Sequence, residues 1–423
     1  MKKTLIFTGA IFVILFLGTR MPAWLEAKGS GLPFPAAEKA LTPIEQLGKN
    51  LFFDKALSSP EGQSCAACHG PQVGMTGPDE SNNKTGGVYE GAVSSRFGNR
   101  KPPASAYAGD SPVFHINENG IFSGGMFWDG RATGETLGDP LAEQAMGPFL
   151  NPLEQNMPDS RAIIAKVKKS GYAPLFEQVW GKGSLDNQND VDKTYEQIAR
   201  SIAAYERSSE VNPLNSKFDD FWRKAQASGR DVAAIGEANW KQYENLGLDS
   251  DELFGLMVYN TKGQCGACHV LTSVNGKHPV FTDFTYDNLG FPKNPQNPFY
   301  QIPKDWNPDG KNWVDEGLGG YLKTVPKYAK YAKDALGKHK VPTLRNVDLR
   351  PTGNFIKAYG HNGYFKSLKE IVHFYNTRDL QSEKWPAPEV SVNVNKTELG
   401  DLGLKEREED AIVLFLKTLS DKL

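Results

Sequence analysis

Apolar residues fall in short helical stripes, separated by long polar stretches rich in glycine. In Thr42-Pro43-Ile44-Glu45 a threonine precedes a glutamate by three positions with proline next to it, which predicts a capping box with proline opening the helix. Ile44, Leu47 and Leu51 then form one apolar helix face. The same flavour returns over Leu253 to Tyr259, where Gly255 and Val258 are spaced as Gly48 and Leu51 are. Farther downstream, Ile198, Ile202 and Tyr205 mark one strongly amphipathic helix, and Ile412, Phe415, Leu416 and Leu419 mark another. This weak internal repeat predicts two modules of one kind, each opened and closed by a helix.

Residues 70–113 and 291–320 are dense in Gly, Ser, Asn and Pro. Loops of such length in a compact domain are functional or are packed on something. Segment 182–193 reads as a surface loop and 211–250 as an inter-domain connection.

The cysteines say what the loops pack on. All four lie in two copies of one motif, Cys65-Ala66-Ala67-Cys68-His69 and Cys265-Gly266-Ala267-Cys268-His269. C-x-x-C-H is the attachment site of a c-type haem, with both thiols forming thioethers and the histidine binding iron from the proximal side. Two CxxC pairs each followed by His make a poor disulfide framework. Zinc would need a fourth ligand at suitable spacing, and a thioredoxin-like pair would need a βαβ context. The reading is a mainly α chain with two cytochrome c-like haem domains and long loops. It divides into residues 28–210, a connecting segment 211–250, and residues 251–423, with two covalently bound haem c groups.

Composition alters this little. Hydrophobic residues make up 39% and charged residues 23%, with a formal net charge of −2, so no basic field points to nucleic acid. Lys2 and Lys3 precede an apolar run from Thr4 to Gly18, of the length of a signal h-region and short for a membrane span. Residues 1–27 therefore read as a signal peptide or N-terminal anchor, with cleavage after Ala23 or Ala27, and the mature protein as periplasmic.

From Phe127-Trp128-Asp129-Gly130-Arg131 onward the chain resembles the bacterial dihaem cytochrome c peroxidases, a family that includes the MauG-type enzymes. The likeness continues through Glu143-Gln144-Ala145-Met146-Gly147-Pro148 and Asn151-Pro152-Leu153-Glu154. It resumes at Val341-Pro342-Thr343-Leu344-Arg345-Asn346, His361-Asn362-Gly363 and Phe374-Tyr375-Asn376. The resemblance implies that hydrogen peroxide reacts at the N-terminal haem. Electrons enter at the C-terminal haem from a small donor protein, a cytochrome c or cupredoxin. It casts Trp128 as the residue between the haems, Gln144 as a distal amide and Glu154 as the distal acid–base carboxylate. One carboxylate can take a proton from the peroxide oxygen that approaches iron and return it to the oxygen that leaves as water. The resemblance also implies one calcium ion, near Asn99 and Pro342, and admits a homodimer.

Two departures stand out. Many relatives carry a loop histidine that blocks the peroxide site, yet no histidine lies between His69 and His115, which predicts an open iron. The usual methionine ligand of the second haem is replaced by Gly360, leaving Tyr359 or His361 as its distal ligand. A tyrosine there resembles the MauG-type enzymes, which oxidise residues of a partner protein. A pure dihaem electron carrier is the reading from another class.

Overall fold

Two crossings of helices organise the computed structural model, which describes residues 40–186, 190–272 and 277–422. The stretch read as an export signal lies outside them. The described helices are α1 (Pro43–Phe53), α2 (Glu80–Lys84), α3 (Pro140–Leu150), α4 (Ser160–Lys169), α5 (Ala173–Trp180) and α6 (Val191–Glu206), followed by α7 (Lys217–Ala227), α8 (Ser250–Asn260), α9 (Gly317–Thr324), α10 (Leu368–Thr377) and α11 (Glu406–Lys417). Strands are minor. His115–Ile116 pairs antiparallel with Phe122–Ser123, and Tyr286–Asp287 with His339–Lys340.

The start of α1 follows the sequence signal. Thr42 Oγ1 accepts from the Glu45 amide, and the Glu45 carboxylate accepts from the Thr42 amide at 2.7 Å. Helix α1 then crosses α6 at Gly48. A Cβ there would lie 1.9 Å from the Ser201 carbonyl oxygen, so only glycine permits this approach. Helix α8 crosses α11 in the same way at Gly255, where a Cβ would lie 1.9 Å from the Ala411 carbonyl oxygen. The internal repeat is thus a repeated packing solution. Around the first crossing Leu47, Leu51, Ile198 and Tyr205 form one core; around the second Leu253, Tyr259, Ile412 and Phe415 form another. Burying each such side chain contributes about 1.5–3 kcal/mol.

Helix α3 packs on α6, and α10 on α11. The expected connection between domains is more structured than a linker. Within it α7, capped by Ser216 and Asp219, buries Phe218, Phe221 and Trp222 in the core that holds α8 and α11. The stretch Thr133 to Pro140 is gathered by one side chain, the Glu143 carboxylate, which accepts from the amides of Gly134, Thr136 and Leu137. That anchor fixes the register of α3 and of Gln144 upon it. Among the described residues no helix is long and apolar enough to cross a membrane.

Candidate functional site

Both haem-attachment motifs adopt the same turn. Cys65–Ala67 and Cys265–Ala267 are single 3₁₀ turns, and each closing histidine donates its backbone N–H to the first cysteine carbonyl, at 3.0 Å for His69 and 2.9 Å for His269. The imidazoles are held alike. His69 Nδ1 lies 3.1 Å from the Met75 carbonyl oxygen and His269 Nδ1 lies 2.9 Å from that of Phe281. A backbone carbonyl fixes the proton on Nδ1 and leaves the Nε2 lone pair for a metal, the usual outer-shell device at a ligating histidine. Burial also pushes His69 down to about 4, so the ring is neutral at physiological pH. The four cysteines form no disulfides. These donor sets fit haem c at both motifs. Beside the second lies a cavity of about 240 Å³, whose wall includes Cys265, Cys268, His269, Leu344, Val372 and Tyr359.

Gln144 stands on α3, half-buried and without a side-chain hydrogen bond among the described residues, next to Ala145, which belongs to the core against which Cys65 packs. Glu154 follows just beyond the helix, where Asn151 Nδ2 donates to its Oε1 at 2.9 Å. Glu154 is only half-exposed, and burial raises its carboxyl above the usual range while Arg131 opposes the shift. It is close enough to the motif that, after burial itself, its charge helps push the Cys68 thiol up to about 12. Arg131 is held by Asp129 at 2.9 Å and lies over the Phe127 ring at 3.8 Å, so the Phe127–Arg131 segment reaches toward Glu154. A second carboxyl near this motif was missed in the sequence. Glu206 ends α6, is 3% exposed, has an unpartnered Oε2 among the described residues, and is pushed up to about 8 by burial. An acid in the last turn of an amphipathic helix reads as a surface residue, and only the fold turns it inward.

His115, the nearest histidine after the first motif, is exposed, with its ring nitrogen 2.8 Å from the Val113 carbonyl oxygen. Met75 is buried and uses its carbonyl to hold His69.

Trp128 is in the wall of the cavity beside the second motif, with its indole N–H donating to the Lys101 carbonyl at 2.7 Å. A short bonded route leads from there to His69. Lys101 Nζ donates to Thr76 Oγ1 at 2.7 Å, and Thr76 follows Met75, whose carbonyl holds the His69 ring.

The distal side of the second site explains the missing methionine. Gly360 has φ +79°, and a Cβ on it would lie 2.2 Å from the Phe291 ring, so packing leaves no room for a methionine side chain. Tyr359 and His361 both line the cavity. The Tyr359 hydroxyl accepts from the Arg350 guanidinium at 3.1 Å; burial raises its pKa and Arg350 opposes the rise. His361 stacks face to face on His339, centroids 3.5 Å apart and planes at 8°. Asp315 lies beside them, its ligand atoms within 4.8 Å of theirs. Parallel rings at this spacing send their lone pairs side by side, not toward one point. Arg100 binds both Asp315 oxygens at 2.7 Å and, against the upward push of burial, holds that carboxyl well below its usual range. Arg100 also binds Asp129, so one guanidinium consumes two buried carboxylates.

Asn99 and Pro342 have different surroundings. The Asn99 carbonyl accepts from Asn297 Nδ2 at 3.0 Å, whereas Pro342 lines the cavity with Lys101.

Comparison with known proteins agrees with this arrangement. Residues 43–227 match the family described as di-haem cytochrome c peroxidase. The chain is 34% identical over 400 residues to the methylamine utilization protein MauG of Paracoccus denitrificans, covering 91% of this chain and 90% of that protein. It is 25% identical to cytochrome-c peroxidase IdrP1 of Denitromonas iodatirespirans, over 92% of this chain and 84% of that one. In structure it resembles the diheme peroxidase BthA of Burkholderia thailandensis, with a TM-score of 0.71, 26% identity, and coverage of 90% of this chain and 87% of that one. By these likenesses and by its paired attachment motifs, the chain belongs to the di-haem cytochrome c peroxidase family, which takes in both MauG proteins and cytochrome-c peroxidases.

Proposed function

We propose that this oxidoreductase reduces hydrogen peroxide to two waters at the haem of His69, taking two electrons and two protons per turnover. His69 and His269 would hold the two haems, of which the second would supply the entry point for electrons from a small donor protein. In this reading residues 28–210 form the peroxide-reacting domain and 251–423 the electron-entry domain, joined by 211–250. The mature protein works in the periplasm. The observation that carries the reading is Glu154: a half-buried carboxyl beside Cys68, with its affinity for protons raised and its orientation held by Asn151.

The haems, when bound, supply the redox chemistry. The chain supplies the protons and the path. Gln144 offers an amide to hold peroxide. Glu154 accepts a proton from the near oxygen of peroxide and delivers it to the far oxygen, so that water is the leaving group. Trp128, bonded through Lys101 and Thr76 toward His69 and facing the cavity beside the second motif, offers an aromatic relay for the electrons.

A second reading is supported by the distal wall of the other site. A methionine cannot be seated at 360, while Tyr359 lines the cavity with Arg350 beside its hydroxyl and offers an oxygen ligand there. This favours a MauG-like oxidase that draws its electrons from side chains of a partner protein. Steady-state turnover of peroxide with reduced cytochrome c distinguishes the two. Rapid turnover supports the peroxidase, whereas peroxide consumption without donor oxidation supports the oxidase.

A further inference from the structure

The family resemblance leads one to expect calcium between the haem sites, but the oxygens here do not suit it. Calcium takes six to eight oxygen ligands and favours carboxylates. The two buried carboxylates that reach the Asn99–Lys101 segment, Asp129 and Asp315, are already bound by Arg100, and the Asn99 carbonyl is engaged by Asn297.

The same region already contains a cation. Lys101 is 9% exposed, lines the cavity of the second site, and pairs with no carboxylate among the described residues. Its ammonium donates to Thr76 Oγ1 at 2.7 Å and to the Pro102 carbonyl at 3.0 Å. An ammonium has three donors, so one is unused. Lys357 makes the contrast. It is also buried, but its three donors are all taken, by the carbonyls of Val73, Asn346 and Leu349, as in a purely structural pin. A buried charge with neither a counter-ion nor a full set of hydrogen bonds is costly, and implies a partner that the chain itself does not provide. Haem brings such a partner in its carboxylates. Lys101 is also in contact with both sites. Its carbonyl receives the Trp128 indole, its Nζ leads through Thr76 toward His69, and its positive charge is felt at His69. Burial lowers its pKa only to about 8, which leaves it charged at neutral pH.

We propose that the ammonium of Lys101 is the fixed cation between the two haem sites, standing where the family resemblance implies calcium, and that this chain binds no calcium at that place. The proposal rests on the dihaem reading. A fixed positive charge near a haem favours the reduced state and so raises its potential.

The test uses holoprotein matured with haem and passed through EGTA. Elemental analysis is expected to give two irons per chain and no stoichiometric calcium, with absorption spectra unchanged by EGTA or by added calcium. One tightly held calcium per chain, or spectra that change on chelation, overturns the proposal. Spectroelectrochemical titration of Lys101→Met is expected to show a haem potential shifted downward, while Lys101→Arg stays near the parent value. An unshifted Lys101→Met refutes the role of the charge. Should Lys101→Met fail to mature, the parent calcium analysis still decides. Fewer than two irons per chain would instead contradict the dihaem reading itself.

Discussion

Glu154 and Glu206 are both carboxyls that burial makes reluctant to ionise, yet they are assigned different work. Glu154 faces the proposed peroxide reaction, so Glu154→Gln should leave both haems attached and slow peroxide cleavage by about 10²–10⁴-fold, measured by stopped-flow mixing. The carboxylate form accepts the first proton. Because its pKa is raised above the ordinary value, the rate should climb with pH through a limb displaced above the usual carboxyl range, and this limb should vanish in Glu154→Gln. Glu206 should act on stability. Its folded pKa of about 8 exceeds that of an unfolded glutamate, so the native state holds a proton that the unfolded chain has released. Its contribution is complete below the unfolded value and is lost as pH rises through about 8. Glu206→Gln should therefore flatten the fall in melting temperature between mildly acidic pH and pH above 8. An equally steep fall in the variant would show that another group is responsible.

At the scale of elements, the two helix crossings are where the sequence was most legible and are most easily broken. Gly48→Ala or Gly255→Ala would push a methyl to within 1.9 Å of a backbone carbonyl. Each should cost about 1–3 kcal/mol or more, since overpacking must be relieved by moving a helix. Denaturant unfolding checks this, with exposed Gly171→Ala, which meets nothing, as the control. The capping box, the apolar faces and the attachment turns are all local, set by neighbours within a few residues, and were readable for that reason. Helix α7 was legible in principle, because Phe218, Phe221 and Trp222 have helical spacing, but its polar surroundings made it resemble a linker.

Across the whole molecule, what escaped the sequence is what long-range folding assembles. Arg100 meets Asp315 across 215 positions, and His339, on a short strand, reaches His361 only because both segments wrap the same cavity. No periodicity encodes such pairs. The identity of the cofactor was legible because haem c is attached by a contiguous motif. The surroundings of Tyr359, His361 and Lys101 come from separate segments, and needed the fold.

The central claim is a dihaem enzyme whose first iron is open to peroxide. It rests on the paired motifs, on the outward placement of His115 and on the proximal use of Met75. Paramagnetic resonance of the as-isolated ferric protein, followed by peroxide without reductant, tests it most directly. The account predicts two haems per chain, a high-spin ferric signal, and immediate reaction with peroxide. Two low-spin signals, with reactivity appearing only after partial reduction, would contradict it.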